Sequence, residues 1–250
     1  MGRVLVNEST LTSIADAIRE KRGTTSTIKP AEMANNIKAI TGDGIDYKAL
    51  AIGTAKEITI PYKISENGVL TLKGGTFGGL KLDTLSFDEG ITKIECASTY
   101  YPPFYWSVAN TIYFPSSLTY IGDGAFKGCV VNDNLIFSEG LTYIGAAVFA
   151  PDINIDGASS NESSFASKIV IPTSVETIGT RAFYDVRFSE VYFKGTPTEI
   201  GASAFYHDAT GSNTNKRYIY VPWSKGQGPT ISGLNNYTEI VYDYVYDEEV

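Results

Sequence analysis

The sequence is poor in the side chains on which catalysis and metal binding most often depend. It holds one histidine, His207, and two cysteines, Cys96 and Cys129, among 250 residues. No cysteine or second histidine lies near His207 in a zinc-ligand spacing, and a serine or cysteine triad would have to use this one residue. We therefore expect no metal site, no cofactor and no triad, with His207 solvated in a turn. Two cysteines do not indicate a disulfide framework, so Cys129 is expected to be a reduced core thiol.

Long apolar runs and positive charge are also scarce. No run of 18 apolar residues is present, so no membrane insertion is expected, and residues 1–6 are too short an apolar stretch for a secretory signal. The net charge is −8 and the sequence pI is about 4.8, which argues against nucleic acid or an anionic membrane as a partner. The charge is uneven, because residues 1–44 carry a net +1 and the other residues carry −9.

What the sequence does contain is an internal repeat from about residue 110 to 206. Leu-Thr-Tyr-Ile-Gly stands at 118–122 and again at 141–145, and related segments ending in Ile-Gly stand at 175–179 and 197–201. An aromatic residue follows each glycine by four positions, and a large apolar residue precedes each isoleucine by seven. A degenerate copy upstream has Glu95 in place of the glycine. Two buried columns are predicted, one of Phe87, Phe114, Phe137, Ile171 and Phe193 and one of Ile94, Ile121, Ile144, Ile178 and Ile200.

Each repeat unit reads as a short β run, a polar turn, a second β run and a sharp corner. The glycine is expected to supply backbone freedom at that corner. One unit cannot bury its apolar residues alone, so stacked units must share a core. The isoleucines are 27, 23, 34 and 22 residues apart, which indicates a base period of about 22–23 residues. The sequence therefore predicts a mainly β, leucine-rich-repeat-like solenoid of about five to six coils.

The repeat unit resembles the BspA-type leucine-rich repeat, which reads apolar-x-Ile-Pro-x-x-Val-x-x-Ile-Gly-x-x-Ala-Phe. Residues 171–183 match that pattern almost position by position, and the resemblance extends over residues 82–223. The asparagine ladder of the common leucine-rich repeat is missing. The resemblance implies a solenoid fold and an association with adhesion and surface recognition, and it implies no catalytic residues.

The first 44 residues predict an N-terminal α-helical hairpin. Residues 9–22 form an amphipathic pattern that ends at Gly23, and Pro30 begins a second one. Helices of this length are marginal alone in water, so each apolar stripe needs a partner surface. The residues expected in that oligomerisation or attachment interface are Leu11, Ile14, Ile18, Met33, Ile37 and Ile40.

Residues 9–40 are similar to a short N-terminal module of bacteriophage and prophage tail or baseplate proteins. This resemblance implies a virion protein, assembled in the host cytoplasm, that attaches to other virion proteins through residues 1–44. It also implies a homo-oligomer, with a trimer favoured. A head fibre or capsid decoration protein and a bacterial surface adhesin are the alternatives.

Two further segments flank the predicted solenoid at 82–223. Residues 45–81 are interpreted as a β-rich N-terminal cap, with strands at 57–60 and 69–72 and a tight turn at Asn67-Gly68. Residues 224–250 are interpreted as a C-terminal cap. Alternation of Ile240, Tyr242, Tyr244 and Tyr246 predicts that this cap contains a terminal strand.

The densest aromatic stretch is the candidate site for a host surface glycan or protein. It contains Tyr100, Tyr101, Phe104, Tyr105 and Trp106. Exposed rings of this kind stack on sugars and give rigid contact area at little entropic cost. The alternative is that the same rings cover the first, degenerate coil of the solenoid.

Carboxylate pairs are the remaining route to chemistry. A polysaccharide-degrading enzyme needs only two acids at a fixed separation. Glu139, Glu176 and Glu199 occupy repeat-surface positions, where a solvated face explains them. We therefore expect a non-enzymatic protein that acts by binding.

Overall fold

The computed structural model describes residues 56–97, 102–104, 106–151, 165–207 and 215–247. The predicted helical hairpin at 1–44, with its six interface residues, lies outside the described residues. The described residues form one short 3₁₀ helix, Tyr62–Ile64, and fifteen strands. The fifteen strands are β1 (Glu57–Ile60), β2 (Val69–Leu72), β3 (Lys81–Phe87), β4 (Lys93–Cys96), β5 (Val108–Tyr113), β6 (Tyr120–Ile121), β7 (Val130–Val131), β8 (Leu135–Ile136), β9 (Tyr143–Ile144), β10 (Phe165–Ile171), β11 (Thr177–Ile178), β12 (Arg187–Phe193), β13 (Glu199–Ile200), β14 (Arg217–Tyr220) and β15 (Thr238–Val241).

The strands stack into a β solenoid whose neighbouring strands all pair in parallel. One side is the short-strand sheet, in the order β13-β11-β9-β6-β4-β2. The other side carries two sheets of mostly longer strands, β1-β3-β5-β7 and β15-β14-β12-β10-β8, which we call the long-strand face. Each strand of the short-strand sheet belongs to one coil, so its six strands span about five full turns. The predicted mainly β solenoid is confirmed.

The core contains the two predicted columns and a third that runs the length of the stack. The two predicted columns are buried, apart from Phe114 in the first and Ile200 in the second, which are half-buried against the core. The third column, which we call the phenylalanine column, consists of rings stacked at centroid distances of 5.1 to 5.6 Å. At this spacing aromatic contacts add to the stabilisation from burial. Its members are Phe77, Phe104, Phe126, Phe149, Phe183 and Phe205.

Threonine hydroxyls tie successive coils together along one corner. Thr119 Oγ1 donates to the Thr92 carbonyl at 3.0 Å, and Thr142 Oγ1 donates to the Thr119 carbonyl at 3.0 Å. Thr198 Oγ1 donates to the Glu176 carbonyl at 2.8 Å. Each of these carbonyls also accepts a hydrogen bond at 2.8 Å from the backbone nitrogen of the same threonine that donates its hydroxyl. The hydroxyls therefore add a second bond between successive coils at each step.

The segment predicted as an N-terminal cap is itself a coil of the stack where the structure describes it. Strand β1 pairs in parallel with β3, and β2 pairs in parallel with β4, in continuous register. Phe77 begins the phenylalanine column. The predicted Asn67-Gly68 turn is confirmed, because both residues have positive φ and Glu66 and Val69 exchange two backbone hydrogen bonds of 2.9 Å. The boundary at residue 82 is therefore corrected: the solenoid includes residues 57–81.

The glycine of each Ile-Gly pair serves close packing and not a left-handed corner. None of these glycines has a positive φ. A Cβ on Gly145 would lie 2.6 Å from the Asp123 backbone nitrogen of the preceding coil, closer than real Cβ contacts allow. The left-handed positions lie elsewhere, two residues before and two residues after the column phenylalanine, as at Gly124 and Gly128 around Phe126.

The C-terminal segment ends the stack differently from the prediction. Strand β15 pairs with β14 but ends at Val241. Beyond it, Tyr244 and Tyr246 lie over the long-strand face, with ring centroids 5.6 and 5.5 Å from that of Tyr192. The terminal strand is therefore shorter than predicted, because Asp243, with a φ of 58°, interrupts the extended backbone.

Candidate recognition surface

The aromatic stretch at 100–106 divides between the core and the surface. Phe104 is 1% exposed, and its ring stacks between Phe77 at 5.1 Å and Phe126 at 5.2 Å. Its assignment to a ligand-binding set is therefore wrong, because this ring is the second member of the phenylalanine column. Ten residues separate Ile94 from Phe104, whereas five separate Ile121 from Phe126. The longer spacing conceals Phe104 from a search at fixed offsets.

Trp106 is the described member of that stretch that faces solvent. Its side chain is 44% exposed, and its φ of 54° lies in the left-handed region. The equivalent position, two residues after the column phenylalanine, is Gly79 in the preceding coil and Gly128 in the following coil, both with φ of 74°. A non-glycine residue costs about 1–2 kcal/mol in this conformation. Strain of this kind clusters at functional sites.

The other three rings of the predicted set lie outside the described residues, so the part of Tyr100, Tyr101 and Tyr105 in recognition stays a prediction. Ser107 follows the aromatic stretch and anchors its end. Its hydroxyl donates to the Phe77 carbonyl, and its backbone nitrogen donates to the Phe104 carbonyl at 2.9 Å. Trp106 is therefore held between two core-anchored residues.

A second aromatic group lies on the short-strand sheet, where no binding residue was predicted. Lys93, Tyr120 and Tyr143 are in register on β4, β6 and β9. The two tyrosine rings stack at 4.5 Å with planes 6° apart, and Lys93 Nζ lies 5.4 Å from the Tyr120 centroid. The identical Leu-Thr-Tyr-Ile-Gly segments carried the signal, because the residue before an inward isoleucine must point outward on a strand.

Carboxylates surround this tyrosine pair. The pKa of Tyr120 is raised mainly by burial, and next by electrostatic interactions with Tyr143, Asp123 and Glu95. The pKa of Tyr143 is raised mainly by burial, and next by the charges of Asp123 and Glu199. Both phenols therefore keep their protons at neutral pH and can donate hydrogen bonds. The local potential is negative, which favours a positively charged group beside the rings.

His207 is buried, so the expectation that it is solvated is wrong. Its side chain is 4% exposed, and its Nδ1 lies 2.9 Å from Asp185 Oδ1. The C-terminal segment covers it, since Asn235 Nδ2 donates to the His207 carbonyl at 2.5 Å. Arg217 is buried too, and burial lowers its pKa. His207 and Arg217 therefore lie within the fold.

Two further residues considered for chemistry, Glu139 and Cys129, have structural surroundings. Glu139 accepts from the Thr173 backbone nitrogen at 3.2 Å and from Lys194 Nζ at 3.3 Å. Cys129 is a reduced, buried thiol, as predicted, and burial raises its pKa to about 12. Among the residues that the structure describes, no three His, Cys, Asp or Glu side chains gather as metal ligands. The same part of the chain contains no helix long and apolar enough to cross a membrane.

These features define a β solenoid of the leucine-rich-repeat class. A comparison with protein families matches residues 45–158 and 157–216 to the BspA type leucine rich repeat region, in six copies. Because the match covers more than half of the chain, the protein belongs to the BspA-type leucine-rich-repeat family. No curated protein and no solved structure matches the chain significantly.

Proposed function

We propose that this protein is a non-enzymatic virion protein of a bacteriophage tail or baseplate, and that its solenoid binds a glycan or protein on the host surface. The observation that carries the recognition part is Trp106, a large exposed ring held in a conformation that glycine adopts in both neighbouring coils. Such a residue costs stability locally, and contact with a ligand would give a reason for its presence.

The virion part of the proposal rests on the sequence similarity of residues 9–40 to tail and baseplate modules. In this arrangement residues 1–44 attach the protein to other virion proteins, and the solenoid projects as the recognition domain. Several copies on one particle would strengthen a weak contact through their effective concentration. The family supports this role in general terms, because stacked coils present extended surfaces for binding.

The binding role is tested by replacing Trp106 with the residue that its neighbours use. Trp106→Gly removes the ring and relieves the left-handed strain of about 1–2 kcal/mol, so the free energy of unfolding should change by less than about 2 kcal/mol. Adsorption of labelled protein to host cells should fall about 5- to 150-fold, the equivalent of about 1–3 kcal/mol for one well-placed ring.

The matched control is Tyr113→Ala on the long-strand face, which removes a ring that is 60% exposed and has an ordinary backbone. Adsorption of this variant should remain normal. If Trp106→Gly adsorbs like the original protein, or if both variants lose adsorption equally, Trp106 is not the recognition residue.

A further inference from the structure

The tyrosine stack on the short-strand sheet has two outer ring faces, and in the part of the chain that the structure describes a cation lies over one of them. Lys93 Nζ lies 5.4 Å from the centroid of Tyr120, on the side of the preceding coil. On the opposite side, Tyr143 pairs with Thr177 of the next coil. A threonine side chain is too short to cover a phenol ring, and among the described residues no ring or cation lies over that face, so they leave its outer part open. Tyr143 and Thr177 are both half-exposed.

An exposed carboxylate stands beyond the threonine. Glu199 pairs with Thr177 in the register of the sheet, so it lies two strands from Tyr143. Two strand spacings are about 9–10 Å, which leaves room for one ring-shaped group between the phenol face and the carboxylate. In the described part of the chain, no lysine, arginine or histidine forms an ion pair with Glu199.

We propose that the open face of Tyr143 and the carboxylate of Glu199 bind a sugar that carries a free amino group. The apolar face of the sugar ring stacks on Tyr143, and its ammonium lies at Glu199. The protein shows the underlying attraction within itself, since Lys168 Nζ lies 4.9 Å from the Tyr192 centroid and Lys194 Nζ lies 5.1 Å from that of Tyr246.

The surroundings favour a sugar over the lysine side chain of a protein. Thr177 and the exposed Thr180 place hydroxyl groups beside the open ring face. Hydroxyls match a polyhydroxylated ligand, whereas the aliphatic stem of a lysine would need apolar neighbours. The carboxylates that raise the pKa of Tyr143 also favour the ammonium form of an amino sugar. This site is separate from Trp106, so it stands or fails independently of the proposed function.

The test uses the full chain and a tetramer of β-1,4-linked glucosamine as the probe. Binding is measured by calorimetry in 0.15 M salt, where long-range attraction to the acidic protein is largely screened. The fully N-acetylated tetramer has the same rings without the charge, and tetralysine has the charge without the rings. We expect the glucosamine tetramer to bind at least about tenfold more tightly than either control, a difference of about 1.4 kcal/mol.

Three variants locate the binding. Glu199→Gln should reduce affinity for the glucosamine tetramer to that for the acetylated one, and Tyr143→Ala should abolish binding of both. Glu176→Gln, a neighbouring exposed carboxylate, should change nothing. Equal binding of the two tetramers, or an equal loss in both glutamine variants, overturns the proposal. Preferential binding of tetralysine that depends on Glu199 also overturns it, in favour of a protein partner.

Because Tyr143→Ala could weaken the stack, Tyr143→Phe is the second variant at this position. It keeps the ring and should retain most of the affinity. If the phenylalanine variant is folded and binds no better than the alanine variant, the ring face is not the contact and the proposed stacking is wrong.

Discussion

At the scale of single residues, a buried thiol and two half-buried phenols whose pKa is raised make the protein sensitive to alkali. Burial raises the pKa of Cys129 from 9.0 to about 12, and burial also raises the pKa of Tyr120 and Tyr143 above 10.0. In the unfolded chain these groups lose their protons at their ordinary pKa. The folded state holds the protons longer, so its stability is complete below pH 9 and decreases as pH rises toward 12.

This residue-scale effect predicts a specific loss for Cys129. Between pH 8 and 11 the thiol should remove roughly 2–3 kcal/mol from the free energy of unfolding. Urea denaturation at both pH values measures this change. Cys129→Ala lowers stability at both values because of the cavity, but the pH-dependent part should shrink. An unchanged pH dependence in the alanine variant would show that the thiol is not responsible.

At the scale of one coil, a substitution can test whether Phe104 belongs to the phenylalanine column. Replacing a fully buried phenylalanine by alanine costs about 3–5 kcal/mol, whereas an exposed loop residue costs about 0.5 kcal/mol or less. We expect Phe104→Ala to behave like Phe126→Ala, the matched residue of the next coil. Chemical denaturation of both variants measures this, and a loss below about 1 kcal/mol for Phe104→Ala would place the ring outside the core.

Sequence periodicity was sufficient to predict the parts of each coil that repeat at fixed spacing. The column positions of Phe137 and Ile144, for example, follow directly from equal offsets. Phe104 was missed because five extra residues precede it. The first coil was missed as a repeat because Thr71 stands where later coils have the motif glycine. At that position β2 and β4 continue as strands, for four residues each.

The exposed site was less predictable, because it depends on registers between strands distant in sequence. Tyr120 and Tyr143 are 23 residues apart, and only stacking of the coils brings their rings to 4.5 Å. The burial of His207 likewise depends on Asn235, which lies 28 residues further along the chain. Local patterns contain no information about such contacts unless the repeat register is known in advance.

At the scale of the whole molecule, the proposed arrangement separates attachment from recognition. Removal of residues 1–44 should leave a folded solenoid, since the stacked coils form one contiguous core from Ile58 to Ile231. The truncated protein should keep its thermal transition within a few degrees and should no longer be incorporated into phage particles. Immunogold labelling of particles made with each version measures incorporation. Normal incorporation of the truncated protein would refute the attachment role.

The segment that leads from the isoleucine to the phenylalanine of a coil differs in length between coils, so we expect this solenoid to accept inserted foreign peptides. Between Ile94 and Phe104 the chain takes twice the usual number of residues, yet the Phe104 and Phe126 rings still stack at 5.2 Å. The stack thus constrains where each connection starts and ends, and it leaves the length between them open. A guest epitope inserted at this corner would be displayed at a defined position along the stack of coils. The same insertion in several coils would present copies at a regular spacing set by the stacking of the strands.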